Sequence, residues 1–358
     1  MAPDTAPLRV VQWATGNIGA RSLRGIMEHP HLELVGVWVH DQAKVGVDAG
    51  ELAGVEPCGP VATNSVDAVL ALGADCVLYM PRALDADVLC RILASGANVV
   101  TTRGEFHHPP TMDPELRTPV EAACSQGGTS IHSTGVSPGF ITEAVPLVFS
   151  SIQRRLGGIR IEEYADLSPR NSPELLFEVM GFGRPPTAIG PERLEHGRTS
   201  FGPSLCVVAD ALGTPLDGLE AGGAMAVARR DVEIAAGPIA AGTVGAQRIS
   251  VTGLRSGQPF LQFTATWYCT TDIEADWHLG ATGWRVVVDG DAPLDVAMPF
   301  PVTLDEMAAT TPSYTANRAV NAVAPVCAAP PGIRPSTDLP PLVARGVVVT
   351  PPTPRTRA

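Results

Sequence analysis

The chain has 358 residues, about two domains' length at roughly 150 residues each, and at 45% hydrophobic and 17% charged residues it has the makings of a core rather than of a disordered chain. Its 25 Lys and Arg against 37 Asp and Glu leave a formal net charge of −12, which argues against nucleic acid and anionic membrane as partners, because both are captured by clustered cations. Lys44 is the only lysine, so chemistry that needs a catalytic amine has one place to go, which nearly excludes amino-acid dehydrogenases of the leucine and glutamate type.

Over the first 145 residues, short β-branched runs alternate with helical patterns. Residues 9–13 read as a strand, 17–28 as a helix stopped by Pro30, and 32–40 as a second strand. There follow a helix near 65–72, a strand at 75–80, a helix at 85–95, a strand at 98–102, a helix at 114–126 and a strand at 130–135. Such alternation implies parallel strands joined by right-handed crossovers. The expected fold class is α/β, a Rossmann-type doubly wound parallel sheet.

After a long helix predicted over 140–155, strand-like stretches follow one another at 224–229, 232–235, 247–254, 260–269 and 284–289. Helices are read at 172–180 and near 204–212. This pattern predicts a second α+β domain with a mostly antiparallel sheet. Residues 1–145, completed by 306–358, are expected to form the dinucleotide domain, and 146–305 a substrate and dimerisation domain. A helix is read at 314–327, and from Pro330 the chain is proline-rich with little periodicity, extended on the surface or disordered.

The cysteines Cys58, Cys76, Cys90, Cys124, Cys206, Cys269 and Cys327 are scattered and never spaced C-x-x-C. No metal site or redox dithiol is expected, and reduced thiols point to a cytoplasmic protein. The N-terminal residues lack a basic region followed by an apolar run, and no apolar run reaches the roughly 18 residues of a membrane span.

The stretch from Val10 to Gly19 carries a strand into a helix through A-x-G-x-x-G, with Ala14 where a first glycine is usual. Gly16 lets the backbone approach a pyrophosphate, and Gly19 lets the helix pack closely on the strand. The free N–H groups of Asn17, Ile18 and Gly19 then face the phosphates. His40 and Asp41 end the second strand about 21 residues beyond Gly19, where a ribose-reading residue belongs. An acid there selects NAD, whereas His40 with Lys44 nearby tolerates a 2′-phosphate, so the cofactor is read as NADP or NAD with NADPH favoured. Met80, Pro81 and Thr102, each after a strand, are placed to border it.

With these residues in hand, the chain resembles the dihydrodipicolinate reductase-like superfamily through the turn at 14–19 and the run Asp48-Ala49-Gly50-Glu51-Leu52-Ala53-Gly54. The His-rich, Lys-containing signature of the true reductases has no counterpart here. A closer likeness is to the 2,4-diaminopentanoate dehydrogenases and related native amine dehydrogenases. It is carried by residues 99–105, 133–140, 172–177, 180–183 and 319–323, among them Gly135-Val136-Ser137-Pro138-Gly139-Phe140 and Ala319-Val320-Asn321-Ala322-Val323. The resemblance implies a homodimer that carries out reversible NAD(P)H-dependent reductive amination of a ketone or aldehyde with ammonia. It also implies a catalytic glutamate after the strand at 98–102. Two acids often stand together there in the family; in this chain the first is Gly104, and Glu105 remains.

Glu105 lies just past the carboxyl end of a parallel strand, the edge where open α/β sheets bind ligands. A carboxylate can take a proton from ammonium and later help water leave, provided a partly apolar pocket supports both of its protonation states. Phe106 and Phe140 are the expected walls. His107 and His108 are read as bordering that pocket or facing solvent, since adjacent loop residues rarely aim at one centre. His132, within an apolar strand, reads as a core histidine. The turn at 135–140 either borders the nicotinamide or is a tight connection. Asn171, before Ser172-Pro173-Glu174, is a pocket candidate that reads mainly as a helix start. Two alternatives stay open: an imine or ketone reductase of the same fold that takes up no ammonia, and a cofactor-binding sensor with no turnover.

Overall fold

The structure is a computed structural model, and it describes residues 6–346. The first half builds β1 (Leu8–Trp13), α1 (Asn17–Met27), β2 (Leu32–Trp38), α2 (Ala49–Ala53), β3 (Ala62–Thr63), α3 (Val66–Leu70), β4 (Cys76–Tyr79), α4 (Ala86–Ala94), β5 (Asn98–Thr101), α5 (Pro114–Gly127) and β6 (Ser130–Ser133). β4 and the centres of β1 and β5, Val10-Val11 and Val99-Val100, are apolar toward both sides because both faces of the sheet are covered, which removes the polar alternation of a half-exposed strand. Val11, Val77, Val99 and Ile131 pack under α4 and α5 on one face. Val10, Cys76, Leu78 and Val100 pack on the other face.

An irregular helical segment, Val136–Ala144, leads into the short α6 (Val145–Ser150), and β7 (Leu156–Asp166) follows at once. The long helix expected over 140–155 is therefore replaced by a broken one, with non-helical backbone at Ser137, Pro138 and Gly139. β7 went unread because its Gly157-Gly158 pair and its adjacent Glu162 and Glu163 hide the alternation of a strand. The helix read at 172–180 is a single irregular turn, Glu174–Val179, whereas α7 (Pro191–Ala211) is much longer than the one read near 204–212.

The remaining strands are β8 (Gly218–Val227), β9 (Val232–Ile234), β10 (Gly237–Ile239), β11 (Val244–Arg255), β12 (Gln258–Tyr268), β13 (Gly283–Gly290) and β14 (Leu294–Pro299). Five of them join β7 in a six-stranded mixed sheet in the order β14-β13-β7-β12-β11-β8, with β9 and β10 as a separate hairpin. Only the β7–β12 pair in the six-stranded sheet is parallel. Its inner face, with Ile159, Ile161, Phe263 and Val286, packs on α7 and α6.

The chain then returns to the first sheet. α8 (Leu304–Cys327) opens with a capping box between Thr303 and Glu306. It lays Ala319, Ala322, Val323 and Val326 beside Ile26 of α1. The last strand, β15 (Gly332–Ile333), pairs with β6, so the stretch after Pro330 is neither structureless nor wholly on the surface. Residues 347–358 of the expected tail lie outside the described residues. The completed parallel sheet has the order β15-β6-β5-β4-β1-β2-β3. Its order reverses beside β1, which places a crevice at the carboxyl ends of β1 and β4. The fold is thus α/β with a doubly wound parallel sheet and a second, mostly antiparallel sheet.

His132 ties the C-terminal segment to β6: it is 1% exposed, and its Nδ1 donates to the Arg334 carbonyl at 2.7 Å. Burial pushes its imidazole down to about 4. Between that value and the ordinary histidine range the unfolded chain binds a proton that the folded chain refuses, so stability falls on acidification through this window. His132→Gln, which keeps a donor without titrating, should flatten the pH dependence of urea-unfolding stability between pH ~6.5 and ~4 by on the order of 2–3 kcal/mol. Parallel pH profiles for the two proteins would contradict this.

Candidate active site

At the first turn Ala14 adopts a left-handed backbone, φ 72°, an uncommon conformation for a residue with a Cβ. Gln12 holds it there, its buried amide donating to the Ala14 carbonyl at 2.9 Å. That carbonyl would lie 2.1 Å from a Cβ on Gly19, so α1 approaches β1 this closely only with glycine. Gly16 faces open space instead, with nothing within 4 Å of the site of its missing Cβ. No side chain caps α1, and the first-turn N–H groups of Asn17, Ile18 and Gly19 are the usual unpaired donors of a helix start. Asn17 also receives the Arg21 guanidinium, which spans to the Ala309 carbonyl of α8 at 3.0 Å.

Beyond β2, Asp41 spends its carboxylate on a local turn, accepting from the Ala43 N–H at 3.0 Å. His40 stands exposed. Lys44 reaches back to the glycine turn, its Nζ donating to the Thr15 carbonyl at 3.1 Å and to Thr15 Oγ1 at 3.2 Å. These contacts place the single lysine beside the glycine turn. Met80 extends β4 and sits against α1, with its sulfur 3.3 Å from Ser22 Oγ.

Past β5 the chain tightens into a short helical turn, Gly104–Phe106. Glu105 is about a third exposed, at 34% of its side chain. Its Oε1 accepts from Arg103 Nε at 3.1 Å and from Nη2 of the same guanidinium. Arg103 also donates to the Arg82 carbonyl at 2.7 Å and the Pro81 carbonyl at 3.4 Å. One guanidinium thus joins the loop after β4 to the carboxylate after β5. Thr101 supports this arrangement from below, its hydroxyl donating to the Tyr79 carbonyl at 2.6 Å and accepting from the Arg103 N–H at 3.2 Å. Thr102 is half-buried beside it.

Two of the expected pocket residues point elsewhere. Phe106 is fully buried in the core under α4 and α5. Successive residues in so tight a turn point in different directions, so Glu105 stays partly exposed while Phe106 faces the core. His107 is equally inaccessible and neither borders a pocket nor meets solvent. It donates from Nδ1 to Glu143 Oε1 at 2.7 Å, with the two side chains 2% and 1% exposed. Ser204 of α7 donates to the same oxygen at 2.6 Å, Thr142 bonds Ser204 at 2.6 Å, and the Gly139 N–H donates to Thr142 at 2.9 Å. Although burial alone would raise the Glu143 carboxyl, the charge of His107 and the donors of His107 and Ser204 outweigh it and hold Glu143 below the usual carboxylate range. His108 is buried too and bonds Asp210 of α7 at 2.9 Å.

Phe140 lines a cavity, but one shared with Trp284, Phe300 and Tyr314 and without Glu105. Asn171 is exposed before the Glu174–Val179 turn, and no hydrogen bond or ion pair joins it to Glu105 among the described residues. Sequence reasoning missed Arg103 and Glu143. A lone acid in the otherwise uncharged, mostly apolar run at 140–149 was the available signal for Glu143, because an acid is rarely buried without a partner.

No family model matches the chain. It is 30% identical over 350 residues to an amine dehydrogenase of Streptomyces virginiae, across 93% of this chain and 96% of the relative. It is 22% identical over 226 residues to a 2,4-diaminopentanoate dehydrogenase of Acetoanaerobium sticklandii, across 58% of this chain and 61% of the relative. Its backbone follows that of an amine dehydrogenase from Mycobacterium smegmatis with a TM-score of 0.72 at 19% identity, over 95% of this chain and 98% of the other.

Removing one member of a buried ion pair leaves the other charge without compensation and typically costs about 3–5 kcal/mol. His107→Ala should therefore lower unfolding stability by about that amount in urea titrations, because Glu143 then loses its imidazole partner and is left with hydroxyl donors such as Ser204. A loss below about 1 kcal/mol, the net worth of one ordinary hydrogen bond, would show that the pair is not what holds this loop.

Proposed function

The chain belongs to the amine dehydrogenase family, and on that premise we propose that it catalyses the reversible NAD(P)-dependent reductive amination of a ketone or aldehyde with ammonia. The observation that carries this reading is Glu105, a carboxylate at the carboxyl edge of β5 with one oxygen held by Arg103. Among the described residues no hydrogen bond engages its other oxygen, Oε2.

The residues of the first turn suit a dinucleotide: Gly16 leaves open space beside the free N–H groups of α1, and Lys44 lies against Thr15. When bound there, the reduced nicotinamide supplies the hydride. Glu105 takes a proton from ammonium, and the freed amine attacks the carbonyl carbon. The proton then goes to the hydroxyl of the carbinolamine as water departs, leaving Glu105 ionised opposite the cationic iminium carbon that receives the hydride. Arg103 keeps Oε1 occupied, so these transfers fall to Oε2. Met80, Pro81 and Thr102 border the reacting end of the site, and Asn17, Ile18 and Gly19 hold the pyrophosphate.

In this reading, residues 1–145 and 306–358 make up the cofactor unit and 146–305 the substrate unit. The chain pairs as a homodimer through the outer face of the second sheet. That face carries Arg160 paired with Asp289 and Arg285 paired with Glu162 and Asp295, polar groups that a two-fold axis would set against their own copies in a self-complementary interface.

NADPH oxidation by the wild-type protein with a panel of ketones and aldehydes should require ammonia; oxidation without it would instead mark a ketone reductase, and no oxidation a sensor. Removing a positioned acid or base costs about 10² to 10⁴ in rate. Glu105→Gln should lose that much turnover while binding NADPH nearly as well as the wild type, and a variant retaining more than about a third of its rate would remove Glu105 from catalysis.

Cofactor choice should rest on Lys44, since Asp41 is occupied by its own turn. Lys44→Glu is expected to weaken NADPH more than NADH in fluorescence titrations. An equal loss for both, or none, would place Lys44 away from the 2′-phosphate.

A further inference from the structure

The chain crosses between its two sheets twice, once through residues 134–155 and once through 300–303. Both crossings wall the same cavity of ≈ 430 Å³, with Phe140 from the first and Phe300 from the second. That size falls in the ~300–1,000 Å³ range of small-molecule sites. Neither Glu105 nor any residue of the glycine turn lines it.

One side of the cavity is aromatic. Trp284 meets Phe300 edge-on with ring centroids 4.4 Å apart, Phe300 meets Tyr314 at 5.2 Å, and Phe140 stands 6.0 Å from Trp284. α8, which carries Tyr314, also contributes Arg318 and Asn321 to the lining. Arg318 is half-buried, and among the described residues it forms no ion pair. Its one described hydrogen bond runs from Nε to Thr134 Oγ1 at 3.0 Å, and its carbon lies 5.7 Å from the Phe140 ring. Asn321 makes no described side-chain hydrogen bond. Burial disfavours the charged guanidinium and lowers Arg318 from the ordinary arginine range, with the nearby Glu143 offsetting this only in part. Glu143 is itself engaged by His107 and Ser204.

A desolvated cation without a counter-charge is costly, and the cost is recovered when an anion arrives with hydrogen-bond acceptors. Carboxylate geometry matches the planar donors of a guanidinium. The opposite assignment, an organic cation in an aromatic cage, is disfavoured because Arg318 already stands over Phe140. On the aromatic side, Glu163 is tied to the Trp284 indole N–H at 3.0 Å, and burial pushes its carboxyl up toward the neutral form.

We propose that this cavity is a second ligand site, which takes a small carboxylate with an aromatic or apolar body. The carboxylate pairs with Arg318 and Asn321, and the body packs among Phe140, Trp284, Phe300 and Tyr314. Because both crossings wall the cavity, its occupant bridges the two sheets.

The test is calorimetric titration of the full chain with 3-phenylpropionate, its neutral amide 3-phenylpropanamide and the cation 3-phenylpropylamine, each with and without saturating NADPH. The carboxylate is expected to bind at least tenfold more tightly than the amide or the amine. Arg318→Gln should weaken it at least tenfold and Arg318→Lys less, Phe300→Ala should weaken it with Arg318 intact, and NADPH should leave it unchanged. Absence of binding up to ~10 mM, where affinity is worth under about 3 kcal/mol, would overturn the proposal, as would equal binding of the amide. So would competition by NADPH or by the carbonyl substrate, which would make the cavity part of the catalytic crevice. If Arg318→Gln does not fold, the ranking of the three probes on the wild-type protein decides.

Discussion

A buried carboxylate is tolerable only when its charge is answered and its oxygens are bonded, and much of the arrangement around the crevice follows from that demand at Glu143. Its partners come from three places: His107 from the loop after β5, Ser204 from α7, and, through Ser204, Thr142 and the Gly139 backbone in the crossing after β6. These segments are far apart in sequence. Desolvation makes the network costly to leave half-made, so it fixes the loop, the crossing and the helix relative to one another. Glu105 lies two residues before His107, and the anchor therefore limits where its carboxylate can stand.

A second fixed point lies one strand away. Arg103 gathers the Glu105 carboxylate and the Pro81 and Arg82 carbonyls around one planar guanidinium, and the loops after β4 and β5 cannot shift independently without breaking charge-assisted bonds. On the cofactor side, Gln12 stabilises the left-handed Ala14, and that carbonyl leaves space only for glycine at position 19. The crevice is thus bounded by parts whose positions are each set by hydrogen bonds from buried or half-buried side chains.

The residues divide by what they touch. Gly16, Gly19 and Lys44 belong to the turn that fits a dinucleotide, and Glu105 with Arg103 to the carboxyl edge of β5. His107, Glu143 and Ser204 touch neither; they act on Glu105 by holding its loop. Phe140 belongs to the cavity between the two crossings, where Arg318 forms no ion pair among the described residues.

The sequence by itself determined the parallel sheet, the glycine turn and the position of Glu105. Short strands with apolar centres alternating with amphipathic helices have few other solutions, and a strand-turn-helix with glycines at fixed offsets is a local signal. The antiparallel strands were legible where they alternate, and β7 was lost where glycines and paired acids interrupt the period. The sequence could not show which way neighbouring residues face in a three-residue turn. Phe106 and His107 therefore read as pocket walls, although one is core and the other is half of a buried ion pair. Only the tertiary structure decided that, because burial and charge pairing depend on α7 and the crossing after β6, segments 36 to 102 residues away along the chain from their partners at His107 and His108.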